Sequence, residues 1–174
     1  MELIKKSDEV YLAPGPIAAI GDEEVEFLRA RVATSPRGRV RINLHAEGAD
    51  PLHEMFIAIR KESYIRPHRH PAKSEAFHIV HGEVDVVVFE DDGSIRSVVP
   101  LAAANAGKAF YYRMSAPLFH TLVIHSDLLI VHEITNGPFK ADATLFGDFS
   151  PEDGNAPEIL IWQQKLADQI RGRQ

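Results

Sequence analysis

From Val40 to Ile134 the sequence is a series of short β-prone runs, MFIAI, EAFHIVH, EVDVVVF, SIRSVV, AFYYRM, LFHTLVI and DLLIVHEI, separated by Gly, Pro, Asp or Asn. Runs this short and this numerous bury their apolar faces only by closing into a barrel or stacking as a sandwich. Gly82 falls in a tight turn between two of the runs, and the Asp91–Gly93 stretch is a hairpin signal between two others, so neighbouring strands are expected to be antiparallel. The flanks read differently. From about Asp22, acidic residues lead into Val25, Phe27, Leu28 and Val32 at helical spacing. After Pro157 the residues Ile159, Trp162, Leu166 and Ile170 repeat that spacing, with basic residues towards the end. SPRG at 35–38 and SPEDGNAP at 150–157 punctuate the ends. The expectation is one all-β domain over 1–174: an arm with a short helix (1–38), a barrel (39–139), and a tail with a C-terminal helix (140–174).

A chain of 174 residues buries roughly 70% of its unfolded surface as one domain, and a second domain is not expected. It has no cysteine, which removes disulfides, thiolate-bound zinc and a cysteine nucleophile. Any metal must use nitrogen and oxygen ligands. A formal charge of −6, with both signs spread along the chain, argues against a nucleic-acid partner. No apolar run approaches the ~20 residues that span a bilayer, and MELIKKSDEV lacks a signal-peptide core, so the expected location is cytoplasmic, away from membrane. Of nine histidines, six fall between His68 and His125.

The segment PHRHPAKSEAFHIVHG sets His68, His70, Glu75 and Gly82 in the order H-x-H-x4-E-x6-G. Alternation along a strand puts His68 and His70 on one side and Arg69 on the other. A turn over Pro71–Ser74 lets Glu75 approach the same point from the next strand. LFHTLVI supplies His120 in phase with Leu118, Leu122 and Ile124, an inward imidazole that needs a partner. The plain alternatives are a pair of solvated strand histidines and a core histidine bonded to backbone. His78 has the wrong parity to join them, His81 is read as a turn residue, and His125 and His132 are set aside. The expected site is one divalent ion on His68, His70, Glu75 and His120. Such a nitrogen and oxygen set suits Fe, Zn, Mn, Ni or Co, and the sequence does not choose among them.

These residues resemble the first motif of the cupin superfamily, which carries two histidines and a glutamate at this spacing, with a further histidine in a second motif. The family glycine before the first histidine is Glu62 here, and the usual P-x-G before the last histidine is Ser115 and Pro117. A closer resemblance is to the WbuC-type cupin-fold metalloproteins, found with O-antigen and related polysaccharide genes. It is carried by Arg41 to His45, SYIRPHRH at 63–70, Lys73 with Glu75, EITNGPF at 133–139, and Ser150 to Glu152. The resemblance implies a metal-binding cupin-type β-barrel (double-stranded β-helix, or jelly roll) and supplies no reaction.

In the run Arg39–His45, donors alternate with Val40, Ile42 and Leu44. This is either an edge strand with its polar face in water or a strand over the pocket mouth, its apolar face on the body. On the second reading Arg41, Asn43, Arg66 and Lys73 are substrate-binding, Arg39 matters less, and Tyr64 or His45 transfers a proton. Their charge suggests an anionic, carbohydrate-like small molecule. The expected function is isomerase or epimerase-type Lewis-acid chemistry in polysaccharide or O-antigen metabolism. An Fe(II)-dependent dioxygenase, a non-catalytic metal-dependent binding or sensing module, and a metal-free structural cupin are the alternatives. A homodimer is expected, through the face bearing Ala76, His78 and Val80.

Overall fold

The computed structural model describes residues 1–140 and 144–173; residues 141–143 and 174 of the expected tail lie outside it. Among the described residues the order is β1 (Ile4–Lys5), β2 (Val10–Leu12), α1 (Asp22–Val32), β3 (Arg39–Asn43), β4 (Leu52–Arg60), β5 (His68–Arg69), β6 (Glu75–His81), β7 (Glu83–Phe89), β8 (Ile95–Ala102), β9 (Tyr111–Met114), β10 (Phe119–Ile124), β11 (Leu128–Asn136), β12 (Leu145–Phe146) and α2 (Ala156–Arg171). The strands form two sheets, one ordered β1-β2-β3-β4-β11-β6-β9 and the other β12-β5-β10-β7-β8. Between them the inward residues of alternating strands, among them Ile59, Phe77, Ile79, Val84, Val86, Val88, Leu129 and Val131, close the main core.

Each helix covers the outside of one sheet. Leu28 and Val32 of α1 pack with Val40, Ile42, Ala58 and Ile130 on the outer face of the seven-stranded sheet. Leu166 and Ile170 of α2 pack with Val87, Phe89, Ile95 and Phe119 on the five-stranded one. This explains why EVDVVVF is apolar almost throughout: β7 is buried on both faces. Glu24 anchors the start of α1, its carboxylate accepting from the Gly21 backbone N–H at 2.9 Å and from the Met1 ammonium at 2.8 Å.

The structure adds detail at three places. Gly82 is not a hairpin turn; β6 pairs with β11 and β9, β7 with β10 and β8, so Gly82 is where the chain crosses between sheets. The Asp91–Gly93 hairpin does join β7 to β8. The arm and tail also contribute strands to the sheets: β2 pairs with β3, in parallel, and β12 pairs with β5. Strands of two or three residues leave no periodicity to read. Finally, part of the face assigned to a second copy is covered by the chain's own arm, because Val80 packs into the cluster beneath α1.

Candidate metal centre

The site lies between the sheets at one end of the core. His68 and His120 are directly opposed on β5 and β10 of the five-stranded sheet, and Glu75 begins β6 of the other. One ligand atom from each of His68, Glu75 and His120 lies within 4.8 Å of the other two. His120 Nε2 is 3.3 Å and His70 Nε2 3.9 Å from the Glu75 carboxylate. The His70 ring centre stands 5.0 Å from that of His68 and 6.2 Å from that of His120. The structure thus draws three of the four predicted ligands tightly together and leaves His70, just beyond the end of β5, on the open side.

The donor chemistry fits a divalent cation. His68 Nδ1 faces the Arg66 carbonyl at 2.9 Å and His120 Nδ1 faces the Leu118 carbonyl at 3.0 Å. A carbonyl only accepts, so both rings carry a proton on Nδ1, which leaves Nε2 of each as the atom that can ligate an ion once it is free of a proton. His70 Nδ1 has Thr144 Oγ1 at 3.3 Å, and the Tyr112 hydroxyl donates to Glu75 Oε1 at 2.8 Å. Every one of the four side chains therefore has an orienting partner. Burial, reinforced by His120, pushes the His68 pKa down to about 4, so the ring is neutral and ready to ligate. Burial pushes Glu75 up, but the hydrogen bond and charge of His120, with His68 and Tyr112, outweigh it and hold the carboxyl below its usual range. For His120, burial pushes the pKa down while the facing Glu75 carboxylate more than offsets it, a net rise.

These directions predict how the metal-free site takes up an ion. Below the raised His120 pKa the proton sits on His120, and an ion must displace it; above that pKa it need not. Apparent affinity is expected to climb by about tenfold per pH unit as pH rises towards that pKa and then level off. Calorimetric titration in buffers of different ionisation enthalpy should show close to one proton released at the acid end. A pH-independent affinity from pH 5 to 8 would mean that the ion does not displace the His120 proton.

A cavity of ≈ 520 Å³ opens over the cluster, with Arg39, Arg41, Arg66, Phe77, Leu122 and Glu133 in its wall. A second, of ≈ 550 Å³, shares Arg41, His70 and Glu133 with it and extends past Asn43, His45, His53 and Lys73. Arg41, Asn43, His45, Arg66 and Lys73 all line this composite space. On the polar face of β3 Asn43 is buried in the cavity wall and Arg41 is exposed at its rim, while Val40 and Ile42 pack beneath α1 rather than on the barrel interior. Arg39, set apart in the sequence reading, lines the wall too. Tyr64 does not: its hydroxyl donates to the Pro151 carbonyl at 2.9 Å, its ring packs on Trp162, and it borders a different hollow with Ser63 and Asp153. It ties the C-terminal tail to the barrel and is not a candidate for proton transfer at the site.

Glu133 was missed. It stands on β11 opposite Phe77, on the inner face one diagonal step from Glu75, whose own partner on β11 is Thr135. Burial and the neighbouring Glu75 push its pKa up to about 8, against the opposing pull of Arg41. A charged residue in phase with the inward Val131 and Thr135 was the signal that marked it.

A family model described as a domain of unknown function (DUF6016) matches residues 20–101. No curated protein matches the chain. Among solved structures, protein SO0799 from Shewanella oneidensis superposes with a TM-score of 0.56 at 11% identity, over 84% of this chain and 94% of that one. An oxalate oxidase in complex with the substrate analogue glycolate superposes with a TM-score of 0.50 at 15% identity, over 77% and 68%. The fold is the cupin-type jelly roll.

Proposed function

We propose that this chain is a metal-dependent enzyme acting on a small, polar, anionic, carbohydrate-like molecule, by isomerase or epimerase-type chemistry in polysaccharide metabolism. The observation that carries the reading is charge. Arg39, Arg41 and Arg66 line the cavity over the His/Glu cluster, and among the described residues none has a carboxylate at ion-pair distance. Lys5, Arg29, Arg37, Arg60, Arg69, Arg96, Lys108 and Arg171 are all paired. In a protein of formal charge −6, guanidinium groups that make no ion pair, though Glu9, Glu75, Glu133 and Asp153 share the wall, suit an anionic ligand.

His68, His70, Glu75 and His120 would hold a divalent ion, Fe, Zn, Mn, Ni or Co, which when bound supplies Lewis acidity to a substrate oxygen. The chain's own residues do the rest. The arginines orient the anion, while the apolar side of the wall, Phe77 and Leu122, limits water. Glu133 holds a proton close to neutral pH at the junction of the two cavities, and His45, whose pKa burial pushes down, offers a neutral imidazole at the far wall. The reading includes a homodimer through the part of the outer sheet face that α1 leaves open, where Leu52, Phe110 and Tyr111 are exposed.

The test is metal analysis of protein purified without added metal, followed by incubation with sugar phosphates and sugar nucleotides in D2O. A redox-inert metal and exchange of a carbon-bound proton are expected. Iron with substrate-dependent oxygen uptake would replace this reading with the dioxygenase, and stoichiometric ligand binding without exchange would replace it with a binding module.

A further inference from the structure

The second cavity holds more positive charge than one carboxylate needs. Lys6, Arg41, Lys73 and Lys140 line it against Glu47 and Glu133. Among the described residues, none of these four cations makes an ion pair. The uncompensated charge matches a dianion better than a monoanion. Lysines, as compact point charges on flexible stems, suit the spherical charge of a phosphate, and Arg41 adds a fork that can engage two of its oxygens.

Asn43 and His53, 8% and 4% exposed, form the buried part of the same wall. The His45 ring lies flat on His53, with centres 4.1 Å apart, which stiffens that wall. His70 belongs to both cavities, so a molecule seated on the lysines extends directly to the metal-ligand cluster.

We propose that the second cavity is a phosphate-binding subsite, and that the substrate is a phosphorylated, polyhydroxylated molecule whose phosphate sits among Arg41 and Lys73 while an oxygen at its other end reaches the His68–Glu75–His120 cluster. The two-ended substrate rests on the metal-enzyme reading above; the phosphate site does not, since no cluster ligand but His70 lines it. The probe is inorganic phosphate, titrated calorimetrically at low ionic strength into the protein as purified and after chelator treatment. Binding is expected in both. It should weaken at least about tenfold in Lys73→Ala and further in the Arg41→Ala/Lys73→Ala double variant, each lost charged hydrogen bond being worth a factor of this order. Lys73→Arg should retain it, as should Lys165→Ala on the exposed face of α2 and His120→Ala. Circular dichroism checks that each variant is folded. Phosphate binding that vanishes with the metal or in His120→Ala but ignores Lys73 would place the anion on the ion and overturn the subsite. Absence of binding up to about 10 mM would do the same.

Discussion

Replacing His120 with alanine is expected to remove stoichiometric metal from the protein and leave a folded barrel. His120 is 3% exposed, sits directly opposite His68 and stands 3.3 Å from Glu75, so its loss opens the centre of the cluster rather than its edge. Disturbing a partner that merely orients a ligand typically costs 10- to 100-fold in metal affinity, and removing the ligand itself should cost at least ~100-fold. The fold survives because the main core consists of Ile59, Phe77, Ile79, Val84 and their neighbours, none of which depends on an ion. What the variant does lose is a partner for Glu75. That buried carboxylate keeps the Tyr112 hydroxyl as a hydrogen-bond donor and His70 Nε2 at 3.9 Å, so the residual destabilisation is about 1–3 kcal/mol, most of which disappears when the pH is lowered enough to protonate Glu75. Metal analysis after dialysis, beside a thermal melt, checks both halves. Full metal occupancy in the variant would exclude His120 as a ligand, and complete unfolding would make the ion part of the folding machinery.

The parts of this arrangement that were legible in the sequence were those that parity controls. His68, Glu75 and His120 converge because each is in phase with the inward face of a strand. That Arg41 and Asn43 share the cavity side of β3 follows from their alternation with Val40 and Ile42. What parity could not supply was which sheet a strand joins. Glu75 comes from the opposite sheet to His68, and His70 lies beyond a strand only two residues long, so the ligands are less alike in position than H-x-H suggests. Tyr64 shares parity with His68, but Pro67 intervenes, and the ring turns to the tail instead. Glu133 escaped notice because its neighbours on the inner face are on β4 and β6, some 60 to 80 residues away in sequence, and only the ladder shows that it stands diagonal to Glu75. A motif search finds residues close in sequence; this site is closed by one that is not.

The crossing at Gly82 is a tightly enclosed point in the topology that assembles the site. Gly82→Ala is expected to destabilise the whole protein by about 4 kcal/mol or more, a value reached only by severe packing or backbone defects. Gly82 has φ +90°, and an added Cβ would stand 2.4 Å from the Leu128 carbonyl oxygen and 2.4 Å from Ser126 Oγ. Neither can move freely. Ser126 Oγ is the acceptor for the Glu83 backbone N–H and donates to that same Leu128 carbonyl, and Leu128 opens β11, the strand that carries Glu133 and pairs with β6. Gly107→Ala is the control for backbone strain alone, because it has φ +77° with nothing within 4 Å of the added carbon. It should cost only about 1–2 kcal/mol, the ordinary penalty for a side chain in the left-handed region. For a chain of this size, the difference corresponds to a separation of roughly 4–12 °C between the two melting temperatures. Metal binding should fall together with folding in Gly82→Ala, because Glu75 and the β10 ligand reach one another only when β6 and β7 enter different sheets. Equal melting temperatures for the two variants would mean that the Ser126–Leu128 corner yields to the added carbon, and that the crossing between the sheets is not held by glycine at this position.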